Sequence, residues 1–171
     1  MKKKFLFMIS LSLIPLSVFA EPSVSVGFSP EGTAHELVLN VINSAHETLR
    51  VMAYSFTDQD IVKALIAAKN RGVDVRIVVD EKGNRDQYSQ YAMEDVTRAG
   101  IPLRTDSDFA IQHDKTMVVD NVSVETGSYN FTSSAAKRNS ENAVYIQDLP
   151  SLANQYLLHW QDRWNRGKDY N

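Results

Sequence analysis

HDKTMVVDNVSVETGSYN, residues 113–130, contains two β-prone runs on either side of Asp120-Asn121. Asp and Asn tolerate positive φ, so the pair predicts a two-residue turn between strands at about 109–119 and 122–128. With that turn, Val119 faces Val122 and His113 faces Ser128. The segment therefore predicts a β-hairpin with a fixed set of cross-strand neighbours.

Four polar side chains converge on one face of this predicted hairpin. Alternation along a strand places His113 and Lys115 on the same side, together with Ser128 and, if the strand continues, Asn130. An imidazole, an ammonium, a hydroxyl and an amide suit a phosphate group, and Gly127 lets backbone approach a ligand closely. Only the imidazole is a good ligand for a divalent metal, so the set does not predict a metal site.

Strand and helix signals alternate through the rest of the chain. Apolar residues recur at helical spacing in some segments and at every second position in others. The predicted strands are 24–28, 50–56, 73–79 and 142–147, and the predicted helices are 31–49, 57–71, 88–99, 131–138 and 150–166. The stripe on the last helix, Leu152, Tyr156, Trp160 and Trp164, is typical of core or of a subunit interface. The pattern predicts one α/β domain over 21–171, with a mixed β-sheet flanked by helices on both faces.

The spacing His113-x-Lys115-x4-Asp120-x6-Gly127-Ser128-x-Asn130 resembles the HKD signature of the phospholipase D superfamily. Two further features restrict the resemblance to one group within that superfamily. They are Ser140-Glu141-Asn142, which follows the motif, and the end of the predicted strand at 54–57. The chain resembles the small bacterial, plasmid-borne, periplasmic nucleases of that superfamily that work in EDTA. The resemblance covers essentially everything after residue 20, and it implies a phospholipase D-like fold with a single HKD motif per chain.

The resemblance also implies catalytic roles for individual residues. His113 would attack phosphorus and form a phosphohistidine, while Lys115 and Asn130 would hold the phosphoryl oxygens with support from Ser128. Glu141 matches the acidic residue that hydrogen-bonds the histidine and selects its tautomer. A carboxylate on one ring nitrogen would leave the other free to attack.

Two motif residues are expected to be structural. Asp120 is usually structural in the family, and its predicted place in the turn agrees. Gly127 is assigned the same kind of role. Neither the residues nor the resemblance calls for a metal or a cofactor.

The mechanism requires two histidines, one as nucleophile and one as general acid. The chain has one motif copy, because His35, His46 and His159 all lack a lysine two residues on. The second imidazole is therefore expected from another subunit, in a two-fold homodimer with His113 of both chains facing one phosphate. These three histidines are not assigned catalytic roles. His35 and His46 are predicted to lie at the edge of the apolar stripe of the first helix, and His159 is predicted to lie at the surface or in an interface.

The first twenty residues have the composition of a secretory signal peptide. Lys2, Lys3 and Lys4 precede an apolar stretch, and Val18-Phe19-Ala20 fits a cleavage site before Glu21. A membrane anchor is the alternative reading, which the absence of a stop-transfer segment disfavours. The expected product is a periplasmic or secreted bacterial protein over 21–171, with no stable membrane association.

The composition is that of an ordinary globular domain, and its negative net charge limits how the protein can bind nucleic acid. The 171 residues include no Cys and carry a formal net charge of −3. Loss of residues 1–20 removes three Lys and leaves 15 basic and 21 acidic residues, a net of −6. A chain of this charge cannot coat nucleic acid with a basic face, although a turnover enzyme needs only a local positive groove. The candidate substrate contacts outside the motif are Lys82, Arg85, Tyr88, Tyr91, Lys137 and Arg138.

Three functions remain open on the sequence. The first is a metal-independent, largely non-specific endonuclease acting on DNA, with RNA as a further substrate. The second is a phospholipid phosphodiesterase, for which an exposed amphipathic surface would be needed and is not apparent. The third is a non-catalytic binding protein, which the intact motif disfavours.

Overall fold

The structure, a computed structural model, describes residues 21–170. The predicted signal peptide lies outside the described residues. The chain forms one eight-stranded mixed sheet. Its strands are β1 Ser23–Ser29, β2 Thr48–Ala53, β3 Asp74–Asp80, β4 Leu103–Asp106, β5 Lys115–Val119, β6 Ser123–Gly127, β7 Glu141–Gln147 and β8 Lys168–Asp169. Its helices are α1 Thr33–Ser44, α2 Gln59–Asn70, α3 Gln87–Arg98, α4 Ser133–Lys137 and α5 Pro150–Arg166.

The strand order across the sheet is β1-β7-β6-β5-β2-β3-β4-β8. Strands β2, β3 and β4 are parallel, with helices as crossovers, and the other pairings are antiparallel. The predicted mixed sheet is confirmed, whereas β4 and β8 were not predicted. Both are four residues or shorter, too short to show a period-2 pattern of their own.

Helices cover both faces of the sheet, as predicted. Helices α1, α2 and α3 pack on one face in the main apolar core. Helix α5 covers the other face, where Trp160 and Trp164 stack with ring centroids 5.1 Å apart. The Trp160 indole also donates to the backbone oxygen of Val51 at 3.1 Å. The aromatic stripe is therefore core at these two residues.

Helix α1 is shorter than predicted, because a side chain distant in the sequence accepts hydrogen bonds from the backbone N–H groups that follow the helix. The carboxylate of Asp120 accepts hydrogen bonds from the backbone N–H groups of His46, Glu47 and Thr48 at 2.8–3.0 Å. Those N–H groups are then unavailable to a continuing helix, and β2 begins at Thr48. Helix α2 is capped by Asp58 and begins at Gln59, two residues after the predicted start at 57.

The predicted hairpin forms, but its register is shifted by one residue. Val119 pairs with Ser123, and not with Val122. Asp120 and Asn121 have positive φ, and the N–H of Val122 donates to the Val119 oxygen at 3.0 Å, so the loop contains three residues. Strand β5 starts only at Lys115, so His113 lies in the preceding loop. The prediction that strand alternation places His113 and Ser128 on one face of the hairpin was therefore wrong.

No helix within residues 21–170 is long and apolar enough to cross a membrane.

Candidate active site

The loop before β5 presents His113 to solvent while holding its backbone firmly. His113 is exposed, whereas its neighbour Gln112 is buried. The N–H of Gln112 donates to the buried Asp80 carboxylate at 2.7 Å. The other oxygen of Asp80 accepts from the N–H of Gly83 at 2.6 Å. Asp80 thus joins the end of β3 to the loop that carries the imidazole.

Lys115 lies directly beside that imidazole. Its side chain is largely buried, and its Nζ donates to the backbone oxygen of His113 at 2.8 Å. Burial lowers the pKa of Lys115, while the negative charges of Asp114 and Glu141 oppose the shift. The lysine therefore offers a partly desolvated positive charge at the site, which interacts strongly with an anionic ligand.

Tyr54 completes this half of the site, and the sequence argument missed its contacts. Its ring centroid lies 4.6 Å from that of His113 and 5.1 Å from the Lys115 Nζ. A Cβ on Gly83 would come within 2.9 Å of the Tyr54 ring, so only glycine leaves room for the ring there. Tyr54 and Asp80 were detectable in principle, because both follow or end parallel strands where ligand sites gather.

Ser128 and Glu141 form the other half of the site. The Ser128 hydroxyl donates to a Glu141 carboxylate oxygen at 2.6 Å and accepts from the Asn142 N–H at 3.1 Å. The second Glu141 oxygen accepts from the Asn139 side chain at 3.0 Å. Within the described chain, Glu141 makes no hydrogen bond to the His113 ring.

The motif residue Asn130 follows on the same segment. Its side-chain oxygen is buried and has no partner among the described residues. A buried amide oxygen without a partner is costly, so a ligand or a neighbouring subunit that supplies a donor would be favoured there. The structure thus brings His113 and Lys115 together, and Ser128 and Glu141 together, with the two pairs linked by charge attraction between Lys115 and Glu141.

Asp120 and Gly127 lie within the scaffold. Asp120 uses its carboxylate to hold the start of β2, as described above. A Cβ on Gly127 would lie 2.2 Å from the Asn142 backbone oxygen. The close neighbour that requires glycine is therefore strand β7, and not a ligand as the sequence argument held.

Two of the remaining histidines, His35 and His159, have side-chain partners within the described chain. His35 Nδ1 lies 3.0 Å from the Tyr129 hydroxyl, and its two ring nitrogens lie 3.8 Å from Asp58 and Asp60. These three residues are close enough to hold a metal ion. Asp58 already caps α2, however, so capping and hydrogen bonding account for the cluster. His159, on α5, contacts the Asp114 carboxylate at 3.3 Å and so lies near the His113 loop.

Comparisons with known proteins identify the family of the chain. A family model described as "Cardiolipin synthase, PLD-like domain" matches residues 38–164. A protein of Rickettsia conorii named phospholipase D is 36% identical over 148 residues, which cover 86% of this chain and 72% of that protein. A mitochondrial cardiolipin hydrolase of Chlamydomonas reinhardtii is 29% identical over 141 residues, covering 82% of this chain and 62% of that protein.

The solved structures agree as well. Nuc, a phospholipase D family member from Salmonella typhimurium, superposes with a TM-score of 0.88 at 62% identity, covering 88% of this chain and 99% of that one. NucT from Helicobacter pylori superposes with a TM-score of 0.72 at 21% identity, which supports the fold alone. The chain therefore belongs to the phospholipase D superfamily and is a phosphodiester hydrolase.

Proposed function

We propose that the chain is a metal-independent, largely non-specific endonuclease that cleaves DNA, with RNA as a further substrate. The observation that carries the proposal is the exposed His113 imidazole beside the partly desolvated Lys115 ammonium. A nucleophile next to a preorganised positive charge suits attack on an anionic diester. The 62% identity to Nuc, over nearly all of that protein, supports the resemblance to nucleases.

The proposed reaction has two displacements at phosphorus. A His113 ring nitrogen attacks phosphorus, the bond to the leaving oxygen breaks, and a second imidazole protonates that oxygen. The second imidazole, now neutral, takes a proton from water, whose oxygen attacks phosphorus and breaks the P–N bond. Lys115 and Asn130 hold the non-bridging oxygens, with Ser128 in support. Glu141 fixes the tautomer of the nucleophile only if its carboxylate exchanges Ser128 or Asn139 for a His113 ring nitrogen, a contact that it does not make in the described chain.

The donor set supports metal independence. Apart from His113 and Glu141, the site offers an ammonium, a hydroxyl and an amide, which are poor or weak ligands for a divalent cation. Both Glu141 oxygens already accept hydrogen bonds, from Ser128 and Asn139. We therefore expect plasmid cleavage to persist in excess EDTA.

The second imidazole is proposed to be His113 of a second subunit. His159 offers the alternative of an acid from the same chain, because it contacts Asp114 beside the nucleophile loop. Plasmid cleavage in EDTA by the wild type, His113→Ala and His159→Ala separates the two. We expect His113→Ala to be inactive and His159→Ala to keep most activity. Loss of activity in His159→Ala would place the acid within one chain.

A mixing experiment tests the shared site directly. Wild type and His113→Ala are unfolded together in urea and refolded in known ratios, so that subunits redistribute. Activity then falls as the square of the wild-type fraction if each site needs His113 twice, and linearly if each chain works alone. Sedimentation should show a dimer, and an active monomer would contradict the model.

Phospholipid is the second candidate substrate, because the Rickettsia conorii relative is named phospholipase D. Hydrolysis of phosphatidylcholine vesicles is measured beside plasmid cleavage, with His113→Ala as the control in both assays. Faster turnover of vesicles than of DNA would overturn the nuclease proposal while keeping His113 as nucleophile.

The proposed location is the periplasm or the exterior of a bacterial cell, after cleavage near Ala20. The basic and apolar composition of residues 1–20 supports export. Cell fractionation and the mass of the purified product test it. A cytoplasmic product that retains residues 1–20 would contradict it.

A further inference from the structure

An unexplained aromatic side chain lies beside the site. Tyr88, in the first turn of α3, has 74% of its surface exposed. It borders a groove of about 260 Å³ whose other lining residues are Thr57, Ser133 and Ser134. Every residue that lines this groove therefore carries a hydroxyl, and none carries a carboxylate.

Two chain segments connect this groove to the active site. One runs from Tyr54 to Thr57, and the other runs from Asn130 to Ser133. They lie side by side, because the Thr57 N–H donates to the Phe131 oxygen at 2.9 Å. Three residues of chain span at most about 10 Å. A nucleic-acid chain with one phosphate at His113 can therefore place a neighbouring nucleotide in the groove.

A cation is available at the rim of the groove. Arg138 donates to the Ser134 hydroxyl at 2.6 Å and is exposed. It forms no ion pair with any residue that the structure describes. A guanidinium without a carboxylate partner is well suited to a phosphate oxygen.

The charge changes on the far side of Tyr88. There the surface depression continues past Glu94 and Asp95. Arg98 on this side pairs with both carboxylates, at 3.9 and 3.0 Å. Carboxylates repel a phosphate backbone, so the favourable part of the groove ends near Tyr88.

We propose that this groove binds one nucleotide next to the scissile phosphate, with its base stacked on Tyr88 and its phosphate on Arg138. The inference rests on the proposed nuclease function and adds a binding position to it. Stacking on an aromatic ring is tolerant of base identity, which fits cleavage without strong sequence preference. The Tyr88 side chain is exposed and belongs to none of the apolar core clusters, so we expect its replacement to leave the stability of the fold unchanged.

The test compares a single-stranded oligonucleotide with bis(p-nitrophenyl) phosphate, which has no base to stack. Tyr88→Ala should raise KM for the oligonucleotide about tenfold, by loss of one stacked base, and leave kcat unchanged. Tyr88→Phe should behave as wild type, because it keeps the ring. Arg138→Gln should raise the same KM and flatten its dependence on salt. None of these variants should change hydrolysis of the small diester.

Leu158→Ala, which removes a side chain 64% exposed on α5, is the matched surface control and should change nothing. An unchanged KM in Tyr88→Ala, or an equal loss on both substrates, would overturn the stacking site alone. Failure of the wild type to cleave any oligonucleotide would overturn the nuclease function itself. Loss of vesicle hydrolysis in Tyr88→Ala, with oligonucleotide KM unchanged, would assign the ring to a lipid surface instead.

Discussion

A buried acid in β6 makes the stability of this protein depend on pH. Glu125 is fully buried between its strand neighbours Met117 and Tyr145. Both of its carboxylate oxygens lack a hydrogen-bond partner within residues 21–170. Because burial is not compensated by a donor or a cation, it raises the pKa of Glu125 from 4.5 to about 8.

The sign of the effect follows from proton linkage. Between about pH 4.5 and 8 the folded protein keeps a proton on Glu125 that the unfolded chain has lost. The stabilising contribution is therefore full at low pH and is lost as pH rises toward the folded pKa. At about 1.4 kcal/mol per pH unit, the free energy of unfolding falls by roughly 3.5 kcal/mol from near pH 5 to near pH 8 because of this group alone.

Glu125→Gln removes the titration while keeping the shape of the side chain. Urea unfolding of wild type and variant is followed at several pH values and at one protein concentration. The variant should gain about 3.5 kcal/mol relative to wild type across that range. Glu36→Gln, at an exposed position in α1, should instead follow the wild-type curve in parallel. Parallel curves for Glu125→Gln would refute the argument, since they would mean that the carboxyl titrates alike in both states.

Three further substitutions test the scaffold of the site. Asp120→Ala should lower the free energy of unfolding by about 2–4 kcal/mol, by loss of three charge-assisted hydrogen bonds, without changing kcat per folded molecule. A chemical unfolding curve with wild-type stability would contradict the role of Asp120. Asp80→Asn should lower kcat by about tenfold or more, since it loosens the support of Gln112 and the His113 loop; wild-type kcat would show that the loop is held otherwise. Gly127→Ala should reduce soluble yield and thermal stability, because its Cβ would collide with β7, and an unchanged melting temperature would mean that β7 yields easily.

The two halves of the proposed active site differ in how far apart their residues lie in the sequence. His113 and Lys115 are two residues apart, so their proximity needed no knowledge of the fold. Ser128 and Glu141 lie thirteen residues apart, and they meet only because β6 and β7 pair. The resemblance implied a hydrogen bond from Glu141 to His113, whereas in the described chain the Glu141 carboxylate accepts from Ser128 and Asn139.

Errors arose where tertiary contacts outweighed local preference. The pattern of apolar residues extended α1 to Leu49, but the Asp120 carboxylate takes the backbone donors after Ala45 for β2. The hairpin register was wrong by one residue because a two-residue and a three-residue turn both accommodate Asp120-Asn121. Register is decided by which face the whole strand buries, and that information is not local.

The sequence by itself determined the alternation of strands and helices, the hairpin, the long α5 and the residue types of the site, because these depend on periodicity, turn chemistry and short spacing. Only the tertiary structure decided that Asp80 supports the His113 loop, that the Tyr54 ring lies near both His113 and Lys115, and that Glu125 is buried with no hydrogen-bond partner among residues 21–170. Each of these facts depends on contacts between residues far apart in the chain, where the desolvation of a group is set by what packs around it and not by its own identity.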